Sequence, residues 1–405
     1  MRSDLLELLR AEPGGEAVLQ SAQDGVHLVG GSVRDLLLGR RPRELDLVVE
    51  GDIGPTLRAL GGEQTVHDRF GTASVRIGSA RIDVARARRE SYPRPGALPE
   101  VSPAPLGEDL LRRDFTVNAL ALALAGPDRG AVREVPGALE DLEHRRLRVL
   151  HRQSFLDDPT RLWRLCRYST RLGFQAEDGT AALARAAVAD GAIETLSAAR
   201  LGAELRLALT EDRALATLEA LATLGALRTL GVQEAPPAEI VRVASGLLPT
   251  DGREDLLLLT ALLRETSGPV GALLDGLEFT APERDRVLAS LRALPALTAA
   301  LPADPRPSEL HALACATPPE AVALAAALAE GTAGGDGAAR RAAERWLMEL
   351  RHVRLRIDGH DLIAAGIAQG PDIGRRLEAT LRRRLDGELA DGAEAELRAA
   401  LEGLR

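Results

Sequence analysis

Residues 27–52 read HLVGGSVRDLLLGRRPRELDLVVEGD, and the fold turns on this stretch. A short apolar run, His27-Leu28-Val29, reaches a Gly30-Gly31-Ser32 turn. A helix is predicted next, over Val33 to Leu38. Then comes a second apolar run with acids at alternate positions, Glu44-Leu45-Asp46-Leu47-Val48-Val49. A glycine pair between strand and helix lets backbone approach a phosphate closely and aims helix N–H groups at it. Residues i and i+2 of a strand face the same way, so Glu44 and Asp46 present two carboxylates side by side. Such neighbours repel unless a cation lies between them. Oxygen ligands beside a polyphosphate suit Mg²⁺. The stretch therefore points to metal-dependent chemistry on a nucleotide.

Outward from this centre, residues 1–20 read as a helix, with apolar Leu5, Leu6, Leu8 and Leu9. Residues 26–30, 45–49, 73–78 and 81–86 read as strands, and a short one is expected near Ala131 to Val135. The Pro- and Gly-rich stretch 92–107 reads as a loop, and Arg113 to Leu124 as the start of a helix. From about Leu142 the pattern is almost wholly helical, broken at glycines and prolines such as Gly231, Pro236-Pro237 and Gly268-Pro269. The segment GTAGGDG, Gly331 to Gly337, reads as a loop or hinge. The expected class is α+β: a head with a small mixed sheet, followed by helical modules.

The chain of 405 residues is long enough for two or more domains. Aromatics make up 2%, so the core must be built from Leu, Ala and Val. Cys166 and Cys315, the two cysteines, supply neither a disulfide framework nor a zinc signature. No apolar run approaches the ~20 residues that span a bilayer, and the N-terminus lacks a basic-then-apolar signal pattern. A cytoplasmic protein that does not engage membranes is expected. The net charge of −9 argues against a nucleic-acid binder only globally, because an RNA-facing surface is local. All 51 basic residues are arginine, whose fork suits phosphates and base edges.

The pattern Gly30-Gly31-x-Val33-Arg34-Asp35, a gap, then Glu44-x-Asp46 resembles the class II tRNA nucleotidyltransferases. These belong to the polymerase-β superfamily, in the class shared with bacterial poly(A) polymerases. The likeness continues through Phe70-Gly71-Thr72, Arg81-Ile82-Asp83-Val84, Arg112-Arg113-Asp114-Phe115-Thr116-Val117-Asn118-Ala119, Asp157-Asp158-Pro159-Thr160-Arg161 and Ile357-Asp358-Gly359-His360-Asp361-Leu362. It implies a catalytic head over residues 1–141, a helical neck at 142–210, a body at 211–350 and a tRNA-binding tail at 351–405. The implied reaction is template-independent addition of CMP and AMP, from CTP and ATP, to the 3′ end of tRNA, with loss of pyrophosphate. Some relatives divide that labour, adding CC or A alone. Poly(A) polymerase, or a non-catalytic RNA-binding relative, is the weaker alternative.

By the same resemblance Glu44, Asp46 and Asp83 hold two Mg²⁺ ions. The family usually has aspartate where this chain has Glu44, so Asp46 and Asp83 are expected to carry more of the burden. Gly30, Gly31, Ser32, Arg34 and Arg164 would meet the triphosphate; Arg34 could instead brace the Asp46 strand. Arg113, Asp114 and Asn118 would read the ribose. Asp158 and Arg161 would hydrogen-bond the Watson–Crick edge of the incoming base. The physics fits: aspartate accepts from the exocyclic amine of C or A, and arginine donates to the ring nitrogen, whereas U and G leave groups unpaired. Arg200 and Glu204 resemble an i,i+4 pair bracing the template helix. Arg86 to Asp109 matches a loop used in switching from CTP to ATP. Arg375 and Arg376 would contact the tRNA, whose acceptor/TΨC half is the expected partner. His360-Asp361 lacks a second histidine and reads as structural.

Overall fold

The computed structural model describes residues 4–67, 71–333 and 337–402. Phe70 and residues 334–336 of the expected hinge lie outside the described residues. The chain packs into two units: residues 1–204 with 211–229, and residues 205–210 with 230–405.

The first unit is built on one sheet. Its strands are β1 (Val26–Val29), β2 (Leu45–Val49), β3 (Glu63–His67), β4 (Thr72–Ile77), β5 (Ala80–Arg86), β8 (Leu120–Ala123) and β9 (Val132–Glu134). Their order across the sheet is β3-β4-β5-β2-β1-β8-β9. Only the β2–β5 pair is parallel, which makes the sheet mixed as expected. A separate antiparallel hairpin joins β6 (Arg88–Ser91) to β7 (Glu100–Pro103). This unit also contains α1 (Leu5–Ala11), α2 (Gly15–Ser21), α3 (Gly31–Leu37), α4 (Gly54–Leu60), α5 (Leu106–Leu111), α6 (Ala138–Glu143), α7 (Ser154–Asp157), α8 (Thr160–Leu172), α9 (Asp178–Ala189), residues 198–204 of α10 (Ala198–Leu209) and α11 (Ala214–Leu224).

Four local expectations are corrected. The helix expected over residues 1–20 is two helices, because Gly14 takes φ +77 and a Cβ there would sit 2.8 Å from the Ala80 Cβ. The helix expected from Arg113 to Leu124 is a 3-10 turn, Thr116–Asn118, followed by β8. Alanine and leucine favour helix, but all four β8 residues are buried and β8 pairs with both β1 and β9, so tertiary pairing overrides propensity. The stretch 92–107 contains β7, and Pro103 closes that strand against Arg88. Strand β3 escaped notice because Glu63 to Val66 are exposed and largely polar, without alternation.

The second unit is helical. Its core is a cluster of Leu and Ala in which residues 321–327 of the helix Pro319–Ala333 are buried among the helices Ala238–Leu247, Glu254–Leu263, Ala281–Ala300 and Ala338–Met348. Alanine side chains let these helices approach closely. A smaller cluster of Ile357, Leu362 and Ala400 lies near the C-terminal end. Among the described residues no single helix is long and apolar enough to cross a membrane.

Candidate active site

The glycine turn and the acidic strand are tied directly. Strand β1 ends at Val29, Gly30 turns with φ +67, and α3 starts at Gly31. The buried Ser32 hydroxyl donates to the Glu44 carbonyl at 3.0 Å and accepts the Asp46 N–H at 2.9 Å. The serine expected at the triphosphate thus anchors the backbone that carries the acids.

The parallel pairing of β2 with β5 sets Asp46 opposite Asp83. Glu44 precedes β2, outside the ladder, and its longer side chain still joins them. One carboxylate oxygen from each of Glu44, Asp46 and Asp83 lies within 4.8 Å of the others. Ser74 of β4 faces Asp83 across the β4–β5 ladder and donates to its Oδ1. Arg81 pairs with Asp83 at 3.0 Å and comes within 3.8 Å of Glu44. Burial, then the Glu44 charge, push the Asp46 carboxyl up to about 7; Arg113 opposes this and Asp83 adds to it. Three converging carboxylates are the donor set a hard divalent ion takes, and such an ion would reverse that rise.

Arg113, expected at the ribose, lies over the turn. A Cβ on Gly30 would fall 2.8 Å from its NH1, and its NH2 donates to the fully buried Asp109 at 2.8 Å. Asp109 also holds Arg112. Asp114 and Asn118 touch at 2.9 Å, with Asn118 ending a 3-10 turn and Asp114 just ahead of it, instead of both on an α-helix. Asp114 also accepts from the Phe115 N–H at 2.8 Å and from Arg164 at 2.7 Å. Burial works against its charge, but Arg164, Asn118 and that N–H hold its carboxyl down at about 2.

Arg34 does not brace the Asp46 strand. Its guanidinium, 1% exposed, donates to Asp35 at 2.8 Å and to the Asn118 side-chain oxygen, beneath the Tyr168 ring. Arg164 is partly exposed between Asp114 and Tyr168.

Asp158 sits between α7 and α8. Its Oδ1 accepts from the Thr160 N–H at 3.1 Å, the Thr160 hydroxyl at 2.6 Å and Arg200 at 2.6 Å. Its Oδ2 accepts from none of the described residues, so one acceptor remains for a ligand. Arg161 does not pair with Asp158. It is buried, with NH1 on the Ser154 hydroxyl at 2.6 Å and NH2 on the Arg112 carbonyl at 2.7 Å. A cleft of about 530 Å³ opens beside it, walled by Glu90, Tyr92, Leu111, Arg112 and His151. The expected Arg200–Glu204 pair is replaced by two separate braces: Arg200 spans the Gly96 carbonyl and Asp158, while Glu204 holds Arg167 at 2.8 Å. Sequence reading missed Asp109, Tyr92 and Tyr168. Tyr92 and Tyr168 are the chain's only tyrosines, and that scarcity was the available signal.

In the second unit, Arg375 is exposed and loosely paired with Asp372 at 3.2 Å. Arg376 donates to Asp372 at 2.6 Å and to the Ala400 carbonyl at 2.9 Å, joining two helices. His360-Asp361 belongs to a helix cap, in which the Asp358 and Asp361 carboxylates each accept the other residue's backbone N–H.

Residues 26–148, within the first unit, match the family described as the poly A polymerase head domain. The A-adding tRNA nucleotidyltransferase of Aquifex aeolicus is 44% identical over 197 residues, 48% of this chain and 24% of the relative. The CC-adding tRNA nucleotidyltransferase of Deinococcus radiodurans is 44% identical over 191 residues, 46% of this chain and 50% of the relative. These alignments thus span half or less of each curated relative. The solved CCA-adding enzyme of Thermotoga maritima, complexed with tRNA, is 28% identical; the alignment covers 99% of this chain and 98% of that one, with a TM-score of 0.77. The chain is thus similar to tRNA nucleotidyltransferases over about half its length and to a solved CCA-adding enzyme throughout.

Proposed function

We propose that the chain adds CMP and AMP from CTP and ATP to the 3′ end of tRNA, building or repairing CCA. The observation that carries the reading is the pairing of Asp46 with Asp83, in register on parallel strands beside the diglycine turn, with Glu44 completing the cluster. Those three carboxylates would hold two Mg²⁺ ions. When bound, the ions acidify the attacking 3′-hydroxyl and offset charge at the α-phosphate, from which pyrophosphate leaves.

The protein's own groups select and orient. Gly30 and Gly31 leave backbone room for the triphosphate, with Arg113 over the turn. Asp114 and Asn118 face the ribose, held by Arg34 and Arg164. The free Oδ2 of Asp158 accepts from the exocyclic amine of C or A, and Arg161 donates to the neighbouring ring nitrogen. A uracil or guanine edge would leave buried groups unpaired, which is costly. In this reading residues 1–141 are the catalytic head, 142–210 the neck that holds the base reader, and 211–350 and 351–405 a body and tail on the acceptor/TΨC half of the tRNA. Arg375 contacts the tRNA backbone there and Arg376 supports it. The setting is the cytoplasm.

A second reading is favoured by the relatives, which include both A-adding and CC-adding enzymes. One assay separates the readings. Purified protein is given tRNA ending before CCA, or ending in CC, with each nucleotide in turn. Addition of C, C and A to the first supports the full activity. Stopping after CC, or adding A only to the second, selects a partial one. No addition to either would refute the proposal.

A further inference from the structure

We propose that Tyr168 is a positioning residue of the nucleotide site, holding the side chains that meet the ribose; this rests on the reading above and deepens it. Tyr168 lies on α8 and is 8% exposed. Three guanidiniums surround its ring, with Cζ atoms 5.5 Å (Arg34), 5.3 Å (Arg164) and 4.9 Å (Arg171) from its centroid. Phe115 packs edge-on at 6.0 Å.

The polar contacts form a closed circuit through this ring. Arg164 donates to the Tyr168 hydroxyl at 2.9 Å and to Asp114 Oδ2 at 2.7 Å. Asp114 Oδ1 accepts from Asn118 at 2.9 Å, and the Asn118 oxygen accepts from Arg34. Arg34 returns to the ring. The circuit links α3 at the glycine turn, the Asp114/Asn118 pair and α8.

Three cations crowded into a largely buried space repel one another. Each has a carboxylate: Asp35 for Arg34 at 2.7 Å, Asp114 for Arg164 at 2.6 Å and Glu211 for Arg171 at 3.8 Å. The electron-rich ring adds a shared attraction that an aliphatic side chain of similar size cannot supply. Its hydroxyl gives Arg164 an acceptor, which fixes the rotamer of Asp114 through Arg164. A 2′-hydroxyl then meets Asp114 and Asn118 in a single orientation. Tyr168, which reaches the substrate only through other residues, thereby sets the preference for ribonucleotides over deoxyribonucleotides.

The test measures equilibrium binding of CTP and dCTP, with Mg²⁺, to the full-length wild type, Tyr168→Phe and Tyr168→Leu, alongside kcat/KM for each nucleotide on tRNA lacking CCA. The expected wild type prefers CTP. Tyr168→Phe keeps the ring and loses about threefold of that preference; Tyr168→Leu loses about tenfold or more. A merely structural role would weaken both nucleotides equally. An unchanged CTP/dCTP ratio in Tyr168→Phe, or in Tyr168→Leu where it folds, overturns the role of Tyr168 while leaving the functional reading intact. A wild type that binds neither nucleotide overturns that reading, and the proposal with it.

Discussion

Arg200 donates to Asp158 Oδ1 at 2.6 Å, across 42 residues of chain, and its other nitrogen reaches the Gly96 carbonyl at 3.0 Å. One guanidinium therefore turns the Asp158 carboxylate so that its second oxygen stays open. The pair joins α10 to the junction of α7 and α8 and reaches the segment between β6 and β7.

Arg200→Ala should free Asp158 to rotate. A hydrogen bond to a charged group contributes roughly 1.5–3 kcal/mol, so discrimination against UTP should fall by about tenfold or more. Incorporation of UMP relative to CMP by the variant measures this. An unchanged ratio would show that Thr160 alone orients the carboxylate.

Asp46→Ala should abolish nucleotide addition, by at least about a thousandfold, because it removes the central member of the acidic cluster. Folding should be preserved, since Asp46 is already destabilised by burial beside Glu44. Thermal melting with and without Mg²⁺ is the companion measurement: the wild type should gain stability from the ion and the variant should not.

Asp114 makes stability depend on acid. Its folded carboxyl is held at about 2, below the ordinary value near 4. The charged form is therefore favoured in the folded state. That stability is present above pH ~4 and is lost as pH falls from ~4 through ~2. Arg164→Ala leaves the buried carboxylate without its cation and should cost about 3–5 kcal/mol near neutral pH. Denaturant midpoints at pH 7 and pH 3 check both statements, and the Arg164→Ala penalty should shrink at the lower pH.

Gly30→Ala should impair activity more than stability. The position takes φ +67 with ψ −132, a combination that costs an L residue about 1–3 kcal/mol, and the new Cβ would displace the Arg113 guanidinium from 2.8 Å. Nucleotide KM should rise while the melting temperature falls by only a few degrees. A variant with wild-type KM would remove Arg113 from the triphosphate site.

Much of the site was written locally. The diglycine turn, the alternation that places Asp46 outward on a strand, and the helical character after Leu142 all follow from backbone preferences and side-chain period, which short stretches carry by themselves. The same locality misled over Arg113 to Leu124, where Leu and Ala alternate in a run that suits helix or buried strand. β1, distant in sequence, and β9, the next strand along, decided for strand. Glu63 to Val66 carried no period to read, because an exposed edge strand needs none.

Partners were decided only in three dimensions. With 51 arginines and 60 acids, almost any pairing was open to the sequence. Arg34 found Asp35 and Asn118 instead of the Asp46 strand, Arg113 settled over Gly30, and Arg200 and Glu204 each turned to a different residue of the segment 158–167. The reason is physical. A side chain's period is set by its own backbone, whereas an ion pair forms with whichever opposite charge the packed sheet and helices bring within hydrogen-bonding reach once water is excluded.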